Sequence, residues 1–251
     1  MEKVITKDNV NRFTITNEKY LRTPINEVKG LAIEFPGFDG NSCLAGNYNF
    51  SELNNDYAQT LAKNGILLVY VFTGPWNWMR DVSIKTVDDI IDAIIEKYNL
   101  NKNIKIVYTG GSMGGLGALS YNVYGKHKAV GCAVSCPVCD LFAVSKFAPF
   151  FESSVYFACA HYESDYDSAV KSLSPLYFVE KFPKNKYFVL TCNNDQVIFL
   201  EENGKPLLQK MKNLALDVCS IELDGMGHCE HTPEALKEFL NFIIRCFDEE
   251  I

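Results

Sequence analysis

The stretch Ile104-Lys105-Ile106-Val107-Tyr108-Thr109-Gly110-Gly111-Ser112-Met113-Gly114-Gly115-Leu116-Gly117-Ala118-Leu119 decides how this chain is read. Ile104 to Thr109 is a short, β-rich apolar run of the kind that forms a buried strand. It runs straight into a glycine-rich turn holding one serine, and Leu116, Ala118 and Leu119 then begin a helical pattern. Strand, sharp turn and helix with Gly-x-Ser-x-Gly at the corner is the pattern of a nucleophile elbow. The glycines have a steric reason. A serine held at positive φ on so tight a turn leaves no room for side chains two positions away on either side, and Gly110 and Gly114 supply none. The plain alternative is a glycine-rich strand-to-helix turn without reactivity.

Outward from this corner the same rhythm repeats. Apolar runs at Gly30 to Phe35, Ile66 to Phe72, Ala129 to Ser135, Tyr187 to Cys192 and Val218 to Leu223 read as further buried strands. Helical patterns lie between several of them. In one, Val87, Ile90, Ile91, Ile94, Ile95 and Tyr98 recur at steps of three and four behind Thr86 as cap. At the C-terminus, Thr232 caps, Pro233 takes the first helical position, and Leu236, Phe239, Leu240, Ile243, Ile244 and Phe247 form the stripe. Strands alternating with helices predict an α/β fold with a mostly parallel sheet covered on both faces. Reactive groups then belong beyond the carboxyl ends of the strands. Residues 137–174 break the rhythm: aromatic residues mix there with Ser, Ala and acidic residues without a strand-like run. That interval reads as a small helical insertion, a cap over the sheet's edge, within one domain spanning 1–251.

Composition narrows the class. With 47% hydrophobic and 22% charged residues in 251, the chain has the apolar content of an ordinary globular protein, not of a disordered or collagen-like one. A net charge of -7 speaks against a nucleic-acid groove or an anionic membrane as partner. The first thirty residues are studded with charge and show no secretory signal, and the longest apolar run, Ile66 to Phe72, is far below the ~20 residues a membrane helix needs. Nine cysteines, an odd number spread from Cys43 to Cys246, read as reduced core residues, which predicts a cytoplasmic location.

A serine hydroxyl is a weak nucleophile near neutral pH and needs a base plus a group that orients the base. Four histidines compete. His127 sits between two lysines, and His161 lies inside the insertion. His228 follows the run Val218 to Leu223 through Asp224-Gly225-Met226-Gly227, in a loop at the top of a strand; His231, three residues on, abuts the Thr232 cap and stays an alternative. For the acid, Asp195 follows the run Tyr187 to Cys192 in the loop Asn193-Asn194-Asp195-Gln196-Val197, with Asp140 as competitor. One helix and one strand separate the Asp195 loop from His228, which places the two loops side by side. Oxyanion donors are expected from the backbone amides of Phe38, in the turn Pro36-Gly37-Phe38-Asp39-Gly40, and of Met113.

With elbow, acid loop and histidine loop in that order, the chain resembles the α/β-hydrolase superfamily from about Gly30 to Phe247. Ser174-Pro175-Leu176, Phe182-Pro183 and the Asn194 to Val197 loop look like the serine esterase and prolyl-oligopeptidase-like branch. Pro36 departs from relatives that carry a His-Gly oxyanion motif there, and no propeller-sized domain precedes the sheet. The resemblance implies hydrolysis of an acyl bond in a small-molecule ester through an acyl-serine, with no metal or organic cofactor. His228 would take the Ser112 proton and Asp195 would hold the imidazole. Trp76, Trp78, Phe147 and Phe151 are the residues expected to wall an apolar acyl or alcohol pocket, although aromatic side chains serve a core as readily.

Other readings compete. A thioesterase or an aminopeptidase-like enzyme would use the same groups, and a non-catalytic member of the fold would serve as a binding module. Cys136-Pro137-Val138-Cys139 follows a strand as a redox pair would, and with His228, Cys229 and His231 it suggests a zinc site. The first leaves the elbow unexplained; the second takes the histidine that the serine needs.

Overall fold

A computed structural model describes residues 4–42, 44 and 52–248; Met1 and Cys43 lie outside the described residues. Seven strands form one sheet in the order β1-β3-β2-β4-β5-β6-β7. They are β1 (Thr14–Thr16), β2 (Gly30–Phe35), β3 (Ile66–Val71), β4 (Lys105–Gly111), β5 (Gly131–Ser135), β6 (Lys186–Cys192) and β7 (Asp217–Leu223). All pair in parallel except β1, which runs antiparallel to β3. The strand β1 was not expected. Three residues show no periodicity, and its pairing partner lies more than fifty residues away, so only the closed sheet reveals it.

The helices are α1 (Asp56–Lys63), α2 (Asp81–Lys97), α3 (Met113–Tyr124), α4 (Leu141–Ser145), α5 (Pro149–Cys159), α6 (Tyr166–Leu173), α7 (Gly204–Asn213) and α8 (Pro233–Asp248). The sheet separates two cores, and alternate strand residues feed each. Leu31, Ile33, Phe35, Ile106 and Tyr108 join Val87, Ile90 and Ile94 of α2 and Leu116 and Leu119 of α3 on one face. Ala32, Val107, Phe188 and Leu190 join Tyr57 and Leu61 of α1 and Phe239 and Ile243 of α8 on the other. A strand buried on both faces has no reason to alternate apolar with polar residues, which is why β2 to β6 read as continuous apolar runs.

Two expectations need correction. Helix α2 begins at Asp81, and Thr86 lies inside it with its hydroxyl donating to the carbonyl of Val82 at 2.7 Å. The apolar stripe starts earlier than Thr86 because Ser83 and Ile84 are also buried. Strand β7 is not buried. It pairs only with β6, and its residues are exposed or half-buried, Cys219 among the exposed. The polar Ser220 and Glu222 within the run carried that signal. Helix α8 does begin as expected, with the Thr232 hydroxyl accepting from the Ala235 amide at 3.2 Å.

Residues 137–174 contain α4, α5 and α6. Helix α5 lies against the segments that leave the carboxyl ends of β2 and β3: Phe151 stacks on Phe38 at 4.6 Å, and the Trp78 indole donates to Ser154 Oγ at 3.1 Å. No helix among the described residues is long and apolar enough to cross a membrane.

Candidate active site

Ser112 is the single residue between β4 and α3, at φ 58 and ψ -125. For a residue with a β-carbon so sparsely populated a conformation costs about 1–3 kcal/mol, and the surroundings hold it there. The Ser112 amide donates to Ser135 of β5 at 2.9 Å, and its carbonyl accepts from Val138 at 3.1 Å. The flanking glycines are required by contact. A Cβ on Gly110 would stand 2.4 Å from the carbonyl oxygen of Gly114, and one on Gly114 would stand 2.2 Å from that of Phe35. The strand, the helix and β2 approach so closely that only backbone fits between them.

Asp195 and His228 meet across two neighbouring loops. His228 donates from Nδ1 to Asp195 Oδ2 at 2.7 Å, while Asp195 Oδ1 accepts from the amides of Val197 and Ile198, both at 2.8 Å. The carboxylate is 3% exposed, so these bonds replace its lost water. With the Nδ1 proton committed to Asp195, Nε2 is left with its lone pair. The loops are stitched together upstream: the Asn193 amide donates to Leu223, that of Asn194 to Met226, and the Asn193 side chain bridges Asp224 and the Gly225 amide. Parallel pairing of β6 with β7 sets this register.

The competing residues are engaged elsewhere. Asp140 caps α4, accepting from the Phe142 amide at 2.9 Å, and takes a bond from the Tyr177 hydroxyl. His231 shares a 2.9 Å hydrogen bond with Ser135 Oγ, and burial pushes its pKa down. His127 faces Asp92 at 3.2 Å, and His161 is exposed just beyond α5.

Ser112 and His228 line one cavity of about 250 Å³, together with Gly37, Phe38, Met113, Trp78 and Phe151. Phe38 opens a short 3-10 turn, Phe38–Gly40, and Met113 opens α3. Amides at such positions have no acceptor within their own helix, so both are available to a ligand oxygen. Of the four aromatic residues expected at the pocket, Trp78 and Phe151 line it. Trp76 and Phe147 stand one ring behind: Phe147 meets Phe151 edge-on at 5.4 Å, and Trp76 lies 6.4 Å from Phe38. Sequence reasoning missed Val138, Val197, Ile198 and Cys229 in the lining. Val197 and Ile198 had a signal, since they follow the acid in the same loop; Val138 and Cys229 had none. A larger hollow of about 480 Å³, lined by Asn103, Lys105, Lys128, Lys186 and Asp217, lies at the amino ends of β4 to β7, away from Ser112.

The cysteines sort differently from either rival pattern. The Cys139 thiol donates to the Pro137 carbonyl at 3.3 Å and is buried in the core, where desolvation pushes its pKa up, so it does not pair with Cys136. Cys136 lies with Cys229 and His228, their ligand atoms within 4.8 Å of one another, as the one grouping of metal-ligating side chains among the described residues. His231 is not part of it.

No family model and no curated protein matches this sequence. Solved structures match in shape. Esterase B from Lactobacillus rhamnosis superposes with a TM-score of 0.68 at 14% identity, over 91% of this chain and 77% of that one. A Mycobacterium tuberculosis puromycin-hydrolyzing peptidase gives 0.65 at 15% identity, over 88% of this chain and 34% of the peptidase. Acylaminoacyl peptidase from Pyrococcus horikoshii gives 0.66 at 13%, over 92% and 38%. The chain thus spans little more than a third of either peptidase. These proteins share one architecture, and the mostly parallel seven-stranded sheet with helices on both faces gives this chain the α/β-hydrolase fold.

Proposed function

We propose that the protein is a serine hydrolase that cleaves carboxylic esters of small or aromatic groups through an acyl-serine intermediate. The observation that carries this reading is the 2.7 Å bond from His228 to Asp195 in a histidine that shares its cavity with Ser112. In the reaction, Ser112 Oγ attacks the ester carbonyl as His228 Nε2 takes its proton. Charge on the carbonyl oxygen is met by the amides of Phe38 and Met113. The tetrahedral species collapses as His228 returns the proton to the leaving alcohol. Water, deprotonated by His228, then releases the acid and restores Ser112. Asp195 stays ionised throughout and stabilises the imidazolium.

The cavity favours small or flat groups. About 250 Å³ walled by Phe38, Trp78 and Phe151 suits an aryl or short acyl group. The likeness to peptidases as well as an esterase makes aminoacyl bonds the second reading, and a thioester is the third substrate to try. We assign residues 137–174 as the cap of a single catalytic domain, and we place the protein in the cytoplasm on the strength of eight cysteines outside any disulfide among the described residues. Nucleic acid and membrane are not proposed as partners, given the net charge of -7.

A panel of aryl ester, thioester and aminoacyl substrates tests the reading. The expected result is turnover of the aryl esters, with Ser112→Ala lowering kcat on the order of a thousandfold or more while the fold persists by circular dichroism. Undiminished turnover in that variant would remove Ser112 from the mechanism.

A further inference from the structure

The mechanism leaves three thiols unused directly behind the histidine. Cys136 is the first residue after β5, Cys192 the last of β6, and Cys229 follows His228 in the loop after β7. Cys229 Sγ lies 3.9 Å from His228 Nε2, and Cys136 Sγ, Cys229 Sγ and the His228 ring all lie within 4.8 Å of one another. Cys136 and Cys229 both hold left-handed backbone, at φ 43 and φ 54. Neither is a glycine, so both hold a backbone region that residues with a β-carbon rarely adopt.

Two sulfurs and one imidazole nitrogen form a donor set for a soft or borderline divalent cation. At zinc bond lengths of about 2.3 Å to sulfur and about 2.0 Å to nitrogen, tetrahedral ligand atoms stand roughly 3.5–3.8 Å apart. The Cys229 to His228 separation is already near that, and the wider span closes by side-chain movement of about 1 Å. Each ligating thiol gives up its proton, so two protons leave per ion bound, and two thiolates balance the two charges of the cation. That neutrality keeps the cost of burial low. Nδ1 of His228 donates to Asp195, the outer contact that orients a metal-bound imidazole and raises its basicity. A route in exists, because His228 and Cys229 both face the cavity.

We propose that a thiophilic divalent cation of the zinc and cadmium class binds Cys136 Sγ, Cys229 Sγ and His228 Nε2, and that it switches the hydrolase off by taking the lone pair that Ser112 needs. Binding stands on the thiols and the imidazole alone; inhibition rests on the assignment of His228 as base.

The test uses the full chain, reduced with a phosphine and stripped of metal. Cadmium titration should raise a thiolate-to-cadmium charge-transfer absorbance that saturates at one equivalent. Cys136→Ser and His228→Ala should each weaken that binding at least tenfold while keeping the native circular dichroism. Zinc should inhibit aryl ester hydrolysis reversibly on adding EDTA, and in Cys136→Ser, with basal hydrolysis unchanged, the inhibitory concentration should rise at least tenfold. Ser112→Ala separates the two readings, since it should lose hydrolysis and keep the cadmium band. An absent band, or one undiminished in Cys136→Ser and His228→Ala, would overturn the site whether or not the protein cleaves esters. A saturable band without zinc inhibition of an active enzyme would overturn the switch.

Discussion

Ser112 occupies a backbone conformation that its neighbours enforce by leaving no alternative. The close approaches at Gly110 and Gly114 bring β2, β4 and α3 into backbone contact, so the hydroxyl is displayed beyond the strand ends rather than packed among them. His228 differs from His231 in the company it keeps: one ring faces a buried carboxylate, the other a hydroxyl on β5. A fluorophosphonate probe reads this difference. We expect it to label Ser112 covalently in the wild type, to label it no longer in His228→Ala, and to label it still in His231→Ala. Peptide mapping by mass spectrometry checks the site, and equal labelling after His228→Ala would move the base elsewhere. The elbow was legible because its glycine requirement is local. His228 was favoured over His231 from its place at the top of a strand, but the pairing itself depends on which ring the loop after β7 turns toward Asp195.

Helix α5 acts as a wall rather than as part of the sheet's core. Ser154 Oγ accepts from the Trp78 indole and donates to the Phe151 carbonyl at 2.7 Å, so the helix and the loop after β3 hold each other. Phe151 in turn stacks on Phe38, whose amide we propose as an oxyanion donor. Truncating Phe151 removes apolar surface of about 1.5–3 kcal/mol when fully buried. We therefore expect Phe151→Ala to raise KM for aryl esters about tenfold or more and to change kcat less, with acetate esters of small alcohols affected least. Steady-state kinetics on both substrate types checks this, and equal KM shifts for both would detach the wall from aryl recognition. From sequence, 137–174 read as helical because its aromatic residues lack strand alternation. Which of those residues face the cavity is a tertiary matter: the rotation of α5 about its axis brings Phe151 into the lining, whereas Phe147 precedes the helix and packs edge-on behind that ring.

Across the whole molecule, one buried group ties stability to pH. Glu34 lies inside β2, fully buried, with bonds from Ser42 Oγ at 2.7 Å and from Thr109 and Tyr57; burial, partly offset by these bonds, pushes its carboxyl from 4.5 up to about 7. A carboxyl whose folded pKa lies above its unfolded value binds more protons when folded, so its contribution favours the fold at low pH and declines as pH rises from about 4.5 to about 7. Between pH 5 and pH 8 the loss amounts to about 2 kcal/mol. Urea denaturation at those two values should show Glu34→Gln gaining on the wild type by about that amount at pH 8. A parallel response of both proteins would place the pH dependence in other groups. Nothing in the run Gly30 to Phe35 announced this, because a lone acid in an apolar strand is read as a departure from pattern until its partners across the sheet are known.

The division between what was readable and what was not follows from the range of the forces involved. Most strand and helix positions and the glycine-flanked turn at Ser112 came from the amino-acid sequence by itself, because each rests on neighbours within a few residues: side-chain period, glycine at a tight turn, a threonine before a proline. The short antiparallel β1, the gathering of Cys136, Cys192 and Cys229 behind His228, and the buried Glu34 were decided by the tertiary structure alone. Each depends on residues distant in the chain meeting at one place, and no local preference records which ones meet.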